Sequence, residues 1–273
     1  MNDFDIKYKN ILIQIMDYGY NDLNKRTSTN VKALPGIQFR TELNIHGFPL
    51  LALRKMPFSF IPEIMWMLSA KKDIKWLKQH TKIWNYFADK NDIVSSAYGY
   101  RWKYHFDVDQ LNEVIDKLKK NKSDRHGVIM MWDPKTDLTI KQKNVPCPVM
   151  FTLNIMENKL CLHLIIRSND MILGNPTDIA GFAFLNYIIA QELKVQVGTI
   201  TTSISNAHIY ENQYDVAKKL ILRKPEFSFI NFNIPENCLK RCRELDNSLL
   251  KEVKDGFIGY KPLEVIKKIP IAI

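Results

Sequence analysis

The residue with the clearest chemical potential is Cys147, in the segment Val145-Pro146-Cys147-Pro148. Flanking prolines fix φ and remove backbone donors, so the thiol is held stiffly at the entrance of a strand. A thiolate beside a guanidinium has a lowered pKa and becomes a usable nucleophile. Arg167, at the far end of the next apolar run, is placed to supply that guanidinium. A cysteine beside a strand can equally be a small packed apolar residue, and Cys147 taken alone allows both readings. Cys238 and Cys242 are four apart and would share one helical face. Two ligands without a nearby histidine do not make a zinc site, so no metal is expected there.

The elements that must position these residues are legible in the periodicity. Apolar residues at near-helical spacing (Ile6, Ile11, Leu12, Ile15, Met16) predict an N-terminal helix. A polar segment, Asn21 to Asn30, then leads into Leu34-Pro35-Gly36-Ile37-Gln38-Phe39-Arg40, which reads as a turn entering a strand. One apolar helical face spans Ile61 to Leu77 and a second, shorter one Leu111 to Leu118. The centre changes period. Val149 to Ile155 alternates like a strand, Met156 to Lys159 turns, and Leu160 to Ile166 is an apolar run of a buried strand. Asn175-Pro176-Thr177-Asp178 is a helix-start signal, and the helix it opens, Ile179 to Leu193, is apolar nearly all round and so buried. Val195 to Tyr210 returns to strand character. The expected architecture is α+β: a mixed sheet backed by a buried helix. With no repeat or Gly/Ser linker, one domain over residues 1–273 is the simplest division.

Composition narrows the partners. The net charge of +10 comes from scattered lysines, without a long basic arm, zinc-finger spacing or RNP-type aromatic motif. A nucleic-acid partner is therefore not expected, and the same charge would attract a small phosphorylated substrate or simply solvate the surface. No apolar run is long enough to cross a bilayer, and no signal peptide is visible after Met1. Four cysteines in a chain of 273 do not suggest a disulfide scaffold, and a cytoplasmic location is the expectation.

The order of the blocks says more than any one residue. Pro146-Cys147, Arg167-Ser168-Asn169-Asp170, Leu173-Gly174, Ala190-Gln191 and His208-Ile209-Tyr210 follow one another with restricted gaps. This resembles the thymidylate synthase family, whose signature runs through Pro-Cys, Arg-Ser-x-Asp, Leu-Gly-x-Pro-x-Asn-Ile-Ala, Ala-Gln and His-x-Tyr. Arg26-Thr27-Ser28-Thr29, Gly47-Phe48-Pro49-Leu50, Glu63-Ile64-Met65-Trp66, Ile83-Trp84, Tyr98-Gly99-Tyr100-Arg101-Trp102 and the Pro270-Ile271-Ala272-Ile273 tail agree in order, from about residue 20 to the end.

The resemblance implies a thymidylate synthase-like fold, a sheet-mediated homodimer and 5,10-methylenetetrahydrofolate as one-carbon donor to C5 of a pyrimidine 5′-monophosphate. It also implies residue roles. Cys147 is the nucleophile at C6, Glu63 organises proton transfers with water, and Tyr98 assists removal of the C5 proton. By itself Glu63 would read as a helix-surface carboxylate. Arg26, Arg167 and Ser168 match phosphate ligands, and Arg125 matches one of two adjacent arginines lent by the partner subunit. His126 stands in place of the second. His208 and Tyr210 match the residues that hold the sugar. Trp84, Asp170 and Gly174 match folate positions, and Ala272 lies in the tail that closes over the ligands. A non-catalytic nucleotide- or RNA-binding relative is disfavoured by the joint presence of Cys147, Glu63, Tyr98 and Asp170.

Three departures stand out. Pro148 and Ile166 replace a histidine and a glutamine common in the family, and Asp178 stands where thymidylate synthases have the asparagine that reads uracil. Uracil offers an N3–H donor and an O4 acceptor, whereas cytosine reverses the pattern, and a carboxyl carrying one proton can answer cytosine. Asp at this position resembles the cytidylate hydroxymethylases. Asp178 could instead cap the helix that follows, although Asn175, with Pro176 next, is as well placed to do so. The expected activity is (d)CMP hydroxymethylation, with dCMP or CMP as substrate. Methylation of dUMP to dTMP is the alternative, and Trp84 and the Ile-Ala-Ile tail resemble that synthase.

Overall fold

The computed structural model describes residues 1–24, 28–139 and 144–271. The chain opens with α1 (Asp3–Tyr18), β1 (Tyr20–Asn24), β2 (Thr29–Glu42) and the short α2 (Leu43–His46). Then come α3 (Phe60–Leu68), the single turn α4 (Tyr98–Tyr100), α5 (Gln110–Lys120), β3 (Val128–Met130) and α6 (Pro134–Asp137). The centre is β4 (Pro148–Met156), β5 (Lys159–Ile166), β6 (Asn169–Asp170), α7 (Gly174–Glu192) and β7 (Gln196–Tyr210). The last stretch holds α8 (Tyr214–Leu222), β8 (Asn231–Phe232), α9 (Cys238–Arg243), α10 (Asn247–Asp255) and β9 (Phe257–Ile258).

Seven strands form one mixed sheet in the order β1-β2-β7-β5-β4-β3, with β6 beside the end of β7. β7 runs parallel to β5 and β6, and the other pairs are antiparallel. Parallel neighbours need a long crossover, and α7 is that crossover. It lies buried along most of its length, against α3 and the sheet. The fold is the α+β arrangement that the sequence predicts.

Local chemistry explains most boundaries. Asn2 accepts from the backbone of Asp5, and Asp5 answers the backbone of Asn2, which closes a capping box at the start of α1. Asp5 also accepts from Ala52 N at 2.7 Å, so the cap pins α1 to a distant loop. The buried stripe of α1 is Phe4, Tyr8, Ile11, Leu12 and Ile15, while Ile6 lies off it and is exposed. Glu157 and Asn158 both adopt positive φ (48° and 59°), the two-residue turn that suits a tight hairpin between β4 and β5.

Two expectations are corrected. Pro35-Gly36 is not a turn ahead of a strand but lies inside the 14-residue β2. Pairing with β7 continues on both sides of it, from Pro35 with Asn206 to Ile37 with Ile204. Past Ala33, β2 no longer pairs with β1 and is an edge, where a missing proline N–H costs no ladder bond. The helix expected over Ile61 to Leu77 ends at Leu68, followed by Ala70 at φ +57°. Trp66 Nε1 donates to Asp73 O at 2.8 Å, so the chain folds back beneath its own helix while Ile74 and Leu77 still enter the core.

The sheet has two unlike faces. On β5, Leu160, Leu162, Leu164 and Ile166 are buried under the helices, and Cys161, His163 and Ile165 face the other way, half-buried. Gln38, His163 and Ser203 hydrogen-bond across that second face from β2, β5 and β7. No helix of the described residues is long and apolar enough to cross a membrane.

Candidate active site

The hairpin of β4 and β5 joins the residues that the sequence places twenty positions apart. Pro148 pairs with Ile166, so Cys147 and Arg167 meet at the open end, with Arg167 N donating to Cys147 O at 2.9 Å. The Arg167 side chain turns back along the same segment: Nε donates to Pro146 O at 2.8 Å and Nη2 to Val145 O at 3.3 Å. Its guanidinium lies 5.5 Å from the ring centre of Trp132. A guanidinium fixed on the segment that carries a half-buried thiol suits the positioning that nucleophilic chemistry needs.

Glu63 comes from the first turn of α3. Rather than lying on the helix surface, it accepts from Trp84 Nε1 at 2.5 Å. Trp84 packs edge-on against Tyr98, with 5.2 Å between ring centres. The Tyr98 hydroxyl lies 3.5 Å from Cys147 N and accepts from it. This closeness depends on Gly99, where a Cβ would fall 1.6 Å from Met67 O of α3. Only glycine lets α4 seat that tightly and deliver Tyr98 beside Glu63.

Asp178 is not a helix cap. It is the fifth residue of α7, and its Oδ2 accepts from Asn169 Nδ2 at 2.8 Å. Nor does Asn175 cap the helix; it is fully buried and donates to Asn169 Oδ1 at 2.7 Å. Asp170 instead receives the backbone N–H groups ahead of α7, Ile172 at 2.8 Å and Leu173 at 3.1 Å. Its second oxygen accepts from Gln213 Nε2 at 3.1 Å. β6 pairs Asp170 with His208 on β7, and His208 and Tyr210 stand edge to face at 5.0 Å between ring centres.

Burial sets the electrostatics. It pushes the Glu63 carboxyl up to about 8, and the nearby charge of Asp178 adds to the effect against the Trp84 hydrogen bond. Asp178 is pushed up to about 7, again by burial first, with Asn169 opposing and Asp170 reinforcing. Burial, with Cys147 and Asp178 nearby, holds the Tyr98 hydroxyl well above its usual range and keeps it a neutral phenol. Near neutral pH the pocket therefore holds two carboxyls close to their titration points, a thiol and a phenol. Such groups can exchange protons and attack an electrophilic carbon.

The predicted site residues do not all gather here. Cys147, Glu63, Tyr98, Asp178, Trp84, Arg167, Ser168, Asp170 and Gly174 share the region at the open end of β4, β5 and β6 and the start of α7. His208 and Tyr210 join it from the end of β7. Arg125 does not: it is exposed, two residues before Gly127, whose carbonyl accepts from Leu153 well along β4 from Cys147. His126 is exposed and pairs with Asp124. Arg26 and Ala272 lie outside the described residues. Cys238 and Cys242 face each other, buried, at 3.9 Å, and no group of three or more potential metal ligands occurs among the described residues. Sequence reasoning missed Gln213, buried three positions after Tyr210, whose amide donates to both Asp170 and Pro270 O. It also missed Trp132 under Arg167. No local pattern signals either residue, because both partners are distant in the chain.

The thymidylate synthase family model matches residues 6–272, nearly the whole chain. The chain belongs to the thymidylate synthase family. Members of this family move a one-carbon unit from 5,10-methylenetetrahydrofolate to C5 of a pyrimidine nucleotide, and the protein is a transferase of that type. The residues present fit such a donor. Trp84 has the aromatic surface, and Asp170, braced by two backbone N–H groups and Gln213, has the carboxylate oxygens, that such a donor's ring and its N–H groups would require.

Proposed function

We propose that this protein is a homodimeric cytoplasmic enzyme, one catalytic domain per chain, that hydroxymethylates C5 of dCMP or CMP. One observation opens the pocket to cytosine: a carboxyl, Asp178, stands beside Glu63 and Tyr98 and is pushed up to about 7 by burial. Half-protonated near neutral pH, it can donate to cytosine N3 and accept from the N4 amino group.

In this reading the Cys147 thiolate adds to C6 and the C5=C6 electron pair makes C5 nucleophilic. Bound 5,10-methylenetetrahydrofolate supplies the carbon. Glu63, titrating near pH 8, gives and retrieves protons through water, and Tyr98 assists departure of the C5 proton. Water rather than hydride adds to the new carbon at C5, and as the C5=C6 double bond re-forms the Cys147 thiolate leaves C6; the donor is left as tetrahydrofolate. Arg26, Arg167, Ser168 and Arg125 of a partner subunit hold the phosphate, and His208 and Tyr210 hold the sugar. Trp84, Asp170, Gly174 and Ala272 serve the folate. The exposed position of Arg125, remote from Cys147 of its own chain, supports its use in trans. The half-buried second face of the sheet supports pairing of two copies there. The four cysteines form no disulfide, which suits a reducing compartment.

The competing reading is methylation of dUMP. It draws support from the Trp84 contact with Glu63 and from the capacity of a neutral carboxyl to answer either base. Purified protein is incubated with methylenetetrahydrofolate and dCMP, CMP or dUMP, with products read by mass spectrometry and dihydrofolate by absorbance. A hydroxymethylated cytidylate without dihydrofolate is the expected result. Methylated dUMP with stoichiometric dihydrofolate would replace this reading with the synthase one, and full activity in Cys147→Ala would end both.

A further inference from the structure

A neutral carboxyl is ambidextrous, since one oxygen donates, the other accepts, and the proton can sit on either. Against a pyrimidine edge, one placement of the proton answers cytosine and the opposite placement answers uracil. Something other than Asp178 itself must therefore decide which base is read.

Asn169 touches one of the two oxygens, Asp178 Oδ2, through its Nδ2 at 2.8 Å. An oxygen that accepts from an amide N–H is the carbonyl-like one, which leaves the proton to Oδ1. Asn169 is itself oriented, because its Oδ1 is occupied by Asn175 Nδ2 at 2.7 Å. Both asparagines are buried, Asn175 completely. Reversing this relay would turn the amino group of Asn175 to the place where its Oδ1 now stands without a partner among the described residues. Orphaned N–H donors are tolerated in protein interiors less readily than an under-satisfied carbonyl, so the observed direction is the favoured one. Gly174 leaves room for the bond, as a Cβ there would lie 3.4 Å from Asn169 Nδ2 and 3.7 Å from Asp178 Oδ2.

We propose that Asn169 is a specificity-determining positioning residue: by donating to Asp178 Oδ2 it assigns the carboxyl proton to Oδ1 and confines the pocket to one pyrimidine edge. The inference rests on Asp178 reading the base, but not on which base is read. Besides Asn169, the groups that face Asp178 are Glu63 of α3, Tyr98 of α4 and Asp170 of β6. All are acids. The Asn169 amide is thus the donor that holds the carboxyl down, and its removal moves the titration of Asp178 upward.

The test is equilibrium binding of dCMP and dUMP, by calorimetry across pH, to the full chain and to Asn169→Leu and Asn169→Ser. Leucine keeps the shape without polar atoms. A serine hydroxyl both donates and accepts, so it cannot assign the proton, and it serves if the leucine variant does not fold. The wild type is expected to favour one nucleotide by about 10- to 100-fold, the worth of one hydrogen bond to a buried carboxyl. Both variants should bring the ratio close to unity, and the pH at which the favoured nucleotide is lost should rise. A folded variant that keeps the wild-type ratio, or a wild type without preference, overturns the role of Asn169. A wild type that favours dUMP, with the ratio lost in the variants, overturns the cytosine reading and upholds Asn169. Binding of neither nucleotide to the wild type overturns the base-reading role of Asp178 and this inference with it.

Discussion

Glu63 and Asp178 in the pocket, and Asp246 and Glu252 at the junction of α9 and α10, are the same side-chain types in opposite surroundings. The pocket carboxyls are pushed up to about 8 and about 7 by burial, and each sits near another acid. At the surface, Ser248 and Arg241 hold Asp246 down at about 2, and Arg241 lowers Glu252 as well. Arg241 reaches Asp246 at 2.8 Å and Glu252 at 2.6 Å. In the pocket, among the described residues, the hydrogen-bond partners are neutral donors, an indole for Glu63 and an amide for Asp178. A carboxyl becomes a proton donor near neutral pH where packing removes water without supplying a cation. Ion pairs such as those of Arg241 are therefore poor guides to the chemistry of this chain.

The comparison can be broken most directly at Glu63. Glu63→Gln should lower kcat by about 10²- to 10⁴-fold, the usual worth of a general acid–base group. Its melting temperature at pH 8 should hold or rise, because a buried charge has been removed. A large drop in melting temperature would instead make Glu63 a structural carboxyl. The next effect is on stability against pH. A raised folded pKa means that the native state holds more protons, so its contribution is full below the ordinary values of 4.5 and 3.8. It is lost as pH rises through about 7 and 8. Denaturant titrations at pH 5 and pH 8 should show the wild type losing on the order of 6 kcal/mol relative to the Glu63→Gln/Asp178→Asn double variant. Parallel behaviour would mean that these carboxyls stay in water. The smallest effect belongs to Arg241→Ala. The folded pKa of Asp246 is depressed, so its contribution is present at neutral pH and lost as pH falls through about 2. Melting at low and high salt should show a slight loss that fades with salt, with activity unchanged. A loss that survives salt would put packing, not charge, at the root of that cluster.

Much of the fold was legible because its signals are local. The turn at Met156 to Lys159, the helical face of Leu111 to Leu118 and the apolar α7 each involve residues a few positions apart. Where edge position or a fold-back decided the outcome, the pattern misled. Pro35-Gly36 is tolerated inside β2 only because that stretch is an edge, and α3 stops short because Trp66 reaches Asp73. Family membership was likewise legible, since it lies in the order of blocks along the chain.

The chemical character of those blocks was not in the sequence. Cys147, Glu63 and Asp178 could be named from their positions, yet each alone allowed a bland reading. Only the tertiary structure moved Glu63 from a helix surface to an indole, showed that Asp178 caps nothing, tied it to Asn169, and set Gln213 between Asp170 and the tail. The physical reason is one of range. Propensity, capping and register are settled by neighbours in the chain, whereas desolvation and the assignment of donors to acceptors are settled by neighbours in space.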